Sequence, residues 1–269
     1  MKPIPVVFHV GPLTVHTYGI GLAITFYFAL RYYERRLRDH GFDSKWLQRS
    51  FLWIIGAAIV GARIIHVVAN ASYYIHNPGE IVMIWHGGLS SFGGLALAIP
   101  TAIYFKRKYA PELSVGTAAD LVTPVLVGAW ALGRLLGPQL MINGGGKPTN
   151  AWYGLQYAGQ VGYRIPVPIF QALEDFVIFL ILLQIEKYFN KINAPRSALM
   201  ATGLLLWSMP RFWDEYFWLA VPKVWDAVEV FSIILFISSA IYLIWLFKRA
   251  PRPNNTVEAR EVKVEPSEL

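Results

Sequence analysis

Apolar residues run along this chain in seven long stretches, separated by short polar joints. They cover about residues 15–30, 50–69, 89–105, 118–137, 168–186, 198–213 and 226–247. Each is near the ~17–25 residues a helix needs to cross the hydrocarbon core of a bilayer. The third and sixth are shorter and interrupted, by Pro100 and Pro210. The pattern predicts an all-α, polytopic integral membrane bundle of about seven transmembrane helices, forming a single domain over residues 1–249. Residues 250–269 are polar and mixed in charge, and are expected to be a disordered, dispensable cytoplasmic tail. The N-terminal MKPIPVVFHVGPLTVH has no basic leader and no A-x-A-like site, so it is not expected to act as a signal peptide.

Composition agrees with the pattern. The chain is 55% hydrophobic and only 15% charged, against about 25% charged in soluble domains. The formal charge of +7 could suggest nucleic acid, but the basic residues fall in short clusters between apolar runs, so no nucleic acid is expected. Seventeen of the 24 lysines and arginines lie in the 31–49, 106–108 and 187–196 joints and in the tail from Lys248. All of these fall on one side of a seven-span arrangement, which predicts an outside N-terminus and a cytoplasmic C-terminus. The absence of cysteine excludes disulfides, thiolate metal sites and a cysteine nucleophile.

The opposite, outer side carries the longer joints, Asn70 to Gly88, Ile142 to Pro168 and Trp213 to Asp226, rich in Trp, Tyr, Gly and Pro. Many of those aromatics fit an interfacial belt, but loops also carry function, so the outer face is the better place for chemistry. Three arginines lie in or at the ends of spans: Arg63, Arg134 and Arg211. A charge at that depth costs roughly 2.5–3.5 kcal/mol on insertion scales, and usually lies inside a bundle. Each could snorkel to a headgroup or pair with a carboxylate. Arg134 and Arg211, however, approach the face that otherwise lacks basic residues. Two converging guanidiniums suit a phosphate, whose oxygens their forked donors match, and the outer leaflet offers phospholipid headgroups.

Around these arginines lie further candidates. Glu215 follows Arg211 by four residues and can share its helix face. Asp120 fits a charge at its own helix N-terminus. Glu174 and Asp175 could partner Arg63 or Arg134. Tyr18 opens the first span in His16-Thr17-Tyr18-Gly19. Arg134 is followed by a Gly137-Pro138 break and the triple glycine Gly144 to Gly146, irregular backbone that survives at membrane depth only beside protein or a wet cavity. A second glycine-rich break runs from Trp85 through His86 to Gly93 and Gly94. Gly144 to Thr149 resembles a phosphate loop only faintly, since a proline follows Lys147 and no strand precedes it. Neither H-E-x-x-H nor G-x-S-x-G occurs, and no metal or cofactor is expected.

The order HTYG, GARI, GGLSSFGG, D-x-x-x-P, LGRL, ING and a late R-x-x-x-E, from His16 to Glu215, resembles the prolipoprotein diacylglyceryl transferase family. That resemblance implies an enzyme of the bacterial inner membrane with its site toward the outer face. It would move diacylglycerol from phosphatidylglycerol to the lipobox cysteine thiol behind a prolipoprotein signal peptide, releasing glycerol phosphate. It implies that Arg134 and Arg211 hold the lipid phosphate and the developing charge. Tyr18, Asn143-Gly144, Glu215 and Gly93-Gly94 match other motif positions, and Arg63 is a third guanidinium within the matched region. Phe92 stands where the family has a histidine, a candidate base, and His86 in the same loop is a possible substitute. Gly145 stands where the family has a glutamate, and Gln139 where an asparagine is expected. Arg164 to Gln171 lacks the family's histidine, tyrosine and glutamate. A positive field could lower the substrate thiol's pKa without a dedicated base. The substitutions leave open a chain that binds phospholipid and transfers nothing; a small-anion transporter fits less well because the chain shows no repeated halves.

Overall fold

The structure, a computed structural model, describes residues 7–10, 13–83, 88–218 and 227–250. The apolar runs become helices that extend beyond them. In chain order these are α1 (Thr17–Asp39), α2 (Lys45–Ala69), the short α3 (Ala71–His76), α4 (Ser91–Tyr109), α5 (Val115–Leu136), α6 (Val167–Lys191), α7 (Ala198–Trp218) and α8 (Ala227–Arg249). Among the described residues, seven of them are 19 to 25 residues long. Four, α2, α5, α6 and α8, are long and apolar enough to cross a membrane by length and composition. Pro100 and Pro210 lie inside α4 and α7. The interruptions read at those prolines are therefore absorbed, and both helices run past the predicted ends.

Charge pairing explains the longest overshoot. Past residue 30, α1 reads RYYERRLRD, which looks like a polar joint. Arg31 Nη1 instead bonds Glu34 at 2.8 Å. Arg36 gives Nε to the Leu121 carbonyl at 2.8 Å and pairs with Glu186 of α6. Buried apolar residues (Tyr33, Leu37, Trp46, Leu47, Leu113, Leu121) form a core around this end of the bundle. The helix stops only at Gly41, whose φ of 78° places it in the left-handed region that glycine enters without penalty.

One element was not expected from the apolar pattern. β1 (Val7–Val10) and β2 (Leu13–His16) pair antiparallel, Val7 opposite His16, adding a hairpin to the all-α reading. His16 therefore ends a strand and α1 begins at Thr17.

α5 is the central element and packs against α1, α6 and α7, while α7 also packs on α8 and α2 pairs with α4. Val127, Ile178, Leu182 and Leu199 form the core between α5, α6 and α7. Other apolar side chains face outward: Leu52, Trp53 and Val68 of α2 are 78%, 67% and 66% exposed. Apolar character on every face marks a helix that contacts lipid.

Asp120 turns out to serve a helix other than its own. Its two carboxylate oxygens accept from the backbone N–H groups of Ser197 (2.6 Å) and Met200 (2.9 Å), capping α7 from α5. It also holds Ser197 at a φ of 71°. Asp120→Ala leaves both donors unpaired. It is expected to cost about 1–3 kcal/mol, read as a lower melting temperature in detergent.

Candidate functional site

Two arginines sit at the same end of adjacent helices, each on a tryptophan one turn earlier. The Arg134 guanidinium lies 5.5 Å from the Trp130 ring on α5, and that of Arg211 lies 5.4 Å from Trp207 on α7. The two indoles meet edge to face with centroids 5.3 Å apart. Spacing of four places each cation over its ring, and the ring contact joins the two helices. Arg134 lies within electrostatic reach of Arg211, Asp175, Asp214 and Glu215, so the predicted convergence of the two guanidiniums is present.

Their surroundings differ. Arg211 is 3% exposed and sits between two buried carboxylates: Nη2 bonds Asp175 at 3.0 Å, and Nη1 lies 3.3 Å from Asp214. Gln171 donates Nε2 to the same Asp214 oxygen at 3.1 Å. Arg211 Nε and Nη1 are nevertheless buried without hydrogen-bond geometry to any acceptor. Arg134 is half-buried, and no carboxylate among the described residues forms an ion pair with it. The arrangement is one guanidinium anchored by carboxylates beside a second that keeps its donors available.

Tyr18 of α1 packs against the end of α5, where a Cβ on Gly137 would come within 3.2 Å of its ring, one turn from Arg134. Glu215 lies on the same stretch of α7, close enough to act on Arg134. Asp175, expected beside Arg63 or Arg134, bonds Arg211, and Glu174 faces Asp214 and Arg211, not Arg63.

The loop over residues 142–166 closes this end. Gly144, Gly145 and Gly146 are buried and wedged between elements. Lys147 N–H bonds the Phe217 carbonyl of α7 at 3.0 Å, and Gly145 exchanges hydrogen bonds with the Gln160 amide. A Cβ at Gly146 would stand 2.5 Å from Val167 and 2.6 Å from the Phe217 carbonyl oxygen. Gly146→Ala is expected to lift the loop off α7 at a cost of about 1–3 kcal/mol, seen as faster proteolysis within residues 142–166. Tyr157 is buried and donates to Gln139 at 2.5 Å, fixing the turn directly after α5. Burial pushes its hydroxyl up to about 12, against the opposing pull of the Gln139 bond, so it stays a donor across the working pH range.

Other candidates fall elsewhere. Asn143 is exposed at a φ of 59°, with its backbone N–H on the Ala158 carbonyl and its side chain against Gly159. Gly93 meets Gly61 so closely that a Cβ would be 2.2 Å from its carbonyl oxygen, and Gly94 rests on Ala58 and Ala62. These two glycines pack α4 on α2, which explains them without a ligand. Arg63 gives Nε to the Ile81 carbonyl and Nη1 to that of Gly88, both at 2.9 Å, and Nη2 to that of Glu80 at 2.5 Å. Those bonds tie Arg63 to Glu80, Ile81 and Gly88 and leave its fork poorly placed for a lipid phosphate. Phe92 meets Phe231 of α8 edge to face, with ring centroids 4.9 Å apart. His86 and the tail from residue 251 lie outside the described residues.

Asp214, Gln171 and Tyr157 were missed as site residues. The W-x-x-x-R spacing at Trp130/Arg134 and Trp207/Arg211 was visible in the sequence and could have paired the two arginines. Nothing local marked Asp214 over Glu215, because both share a face with Arg211.

Fold and site together define a helical membrane protein with an available guanidinium beside an ion-paired one at one end of its bundle. The family described as prolipoprotein diacylglyceryl transferase matches residues 5–245, and the chain belongs to that family. A phosphatidylglycerol–prolipoprotein diacylglyceryl transferase of Fervidobacterium nodosum is 32% identical over 261 residues, 92% of this chain and 87% of the relative. One of Listeria monocytogenes is 30% identical over 254 residues, 88% and 89% of the two chains. One of Chloroherpeton thalassium is 32% identical over 184 residues, 65% of each.

Proposed function

We propose that this chain transfers the diacylglyceryl group of phosphatidylglycerol to the lipobox cysteine thiol behind a prolipoprotein signal peptide. Seven spans, an outside N-terminus and a site toward the outer face of the bacterial inner membrane complete the reading; the one-sided distribution of basic residues supports that orientation. The observation that carries the proposal is Arg134, a guanidinium with no carboxylate pairing it among the described residues, beside the buried Arg211.

In the reaction the thiolate sulfur attacks the glyceryl carbon that bears the phosphate. A C–S bond forms, the C–O bond breaks, and its electron pair leaves on the phosphate oxygen as glycerol phosphate. Arg134 binds the phosphate through its fork and meets the charge that grows on the departing oxygen. Arg211, fixed by Asp175 and Asp214, holds the Trp207–Trp130 contact and thereby places Arg134. Tyr18 bounds the site from α1, and the 142–166 loop closes it from outside.

Purified chain with phosphatidylglycerol and a lipobox peptide is expected to yield a peptide heavier by one diacylglyceryl group, in equal amount to released glycerol phosphate. Phosphatidylglycerol binding with neither product would overturn the reading in favour of a chain that binds lipid and transfers nothing.

A further inference from the structure

The 142–166 loop carries a surface that the Arg134 site does not use. From Leu135 to Leu173 the chain holds two charged residues, Lys147 and Arg164, both basic. Neither forms an ion pair among the described residues. Lys147 instead rests its Nζ 4.1 Å from the centroid of the exposed Tyr216 ring of α7. Trp152 stands at a turn closed by the Gly154 N–H on the Ala151 carbonyl at 3.0 Å, and it is 95% exposed. Its ring meets Tyr153 edge to face, and Tyr153 meets Phe170 near the start of α6, with centroids 5.8 Å apart in both pairs. Further along α6, Leu173, Phe176, Val177 and Leu180 are exposed, and their spacing of three and four places them on one helix face. α6 is apolar and long enough to cross a membrane. The aromatic pair therefore continues the lipid-facing stripe of α6 past the end of the helix.

We propose that this loop is a second lipid-contact surface, seated in the headgroup layer of an anionic bilayer. Trp and Tyr favour that depth, where the ring lies against acyl chains and its N–H or O–H stays wet. Lys147 and Arg164 meet the lipid phosphates there, and the lack of acidic side chains lets an anionic surface approach without repulsion. Continuity decides for lipid over a protein partner: the face that meets hydrocarbon along α6 ends in the Trp152–Tyr153 pair. The loop is tied to α7 by the Lys147 N–H on the Phe217 carbonyl. Anchoring it holds the Arg134 end of the bundle at headgroup depth and gathers anionic lipid around that end.

Because the chain has no cysteine, Trp152→Cys gives a single attachment point for a fluorescent label, one aromatic group in place of another. The full-length protein is placed in nanodiscs of phosphatidylglycerol and phosphatidylcholine in equal amounts, with a trace of either lipid spin-labelled near the top of an acyl chain. Both spin-labelled lipids are expected to quench the label, phosphatidylglycerol at least about threefold more strongly, because each basic residue at the surface favours the anionic lipid. A neutral nickel chelate in the water should quench little. The lipid preference should shrink when salt rises from about 0.05 to about 0.5 M, and should vanish when Lys147→Gln and Arg164→Gln are added. A label quenched from the water and not from lipid would overturn the proposal, as would equal quenching by the two lipids at both salt concentrations. A label shielded only after a lipobox peptide is added would also overturn it, making the surface a peptide-docking one. None of these readouts depends on diacylglyceryl transfer, so this proposal and the transferase reading fail separately.

Discussion

Arg211→Ala is expected to destabilise the whole bundle before it affects any chemistry. The guanidinium is 3% exposed and faces Asp175 and Asp214, which are 0% and 4% exposed. Removing it leaves two buried anions with Gln171 as the remaining donor to Asp214. Breaking a buried pair in this way costs about 3–5 kcal/mol, a large share of the ~5–15 kcal/mol that holds a domain together. The melting temperature in detergent should fall on the order of 10 °C. Adding Asp175→Asn and Asp214→Asn to Arg211→Ala should recover part of that loss, since neutral amides tolerate the missing cation. A single variant that melts with the wild type would show that Arg211 is not the anchor described.

Arg134→Lys should have the opposite profile. No ion pair holds Arg134 among the described residues, so stability should change little. Lysine keeps the charge but loses the fork that matches two phosphate oxygens. Losing one charge-assisted bond costs about 1.5–3 kcal/mol, which is roughly 10- to 100-fold in affinity for phosphatidylglycerol. Because the Trp130–Trp207 contact couples the two arginines, their effects on lipid binding should not add. Additive losses in a cycle built with Arg211→Lys would mean that each arginine meets a headgroup on its own.

The sequence made some of this legible for clear physical reasons. Apolar runs located every long helix, because a lipid-facing helix is apolar on all sides. Helix ends were harder to read: Arg31, Glu34 and Arg36 look like a joint, yet their pairing with one another and with Glu186 lets α1 continue to Asp39. The convergence of Arg134 and Arg211 was readable from their shared approach to the side that is poor in basic residues. The partners were not, since Asp214 and Glu215 fit the face of Arg211 equally well and Asp175 reaches it from another helix. Arg63 misled for the opposite reason. Its main contacts are backbone carbonyls at Glu80, Ile81 and Gly88, which any residue could supply, so no side-chain pattern announces them.

Phe92 and Gly145 stand where the family resemblance places a histidine and a glutamate, and their surroundings give each a packing role. Phe92 meets Phe231. Gly145 has Tyr157, Arg164 and Gln160 so close that a Cβ would come within 2.6 to 2.8 Å of them. Neither position offers a titrating group.

Cells depleted of their own diacylglyceryl transferase give the most direct measurement of the central claim. Expression of this chain there should restore prolipoprotein maturation, seen as the mature lipoprotein band and renewed growth. The Arg134→Lys variant, inserted at the same level, should not. Persistent accumulation of unmodified prolipoprotein with the wild-type chain, folded in the membrane and binding phosphatidylglycerol, would contradict the account.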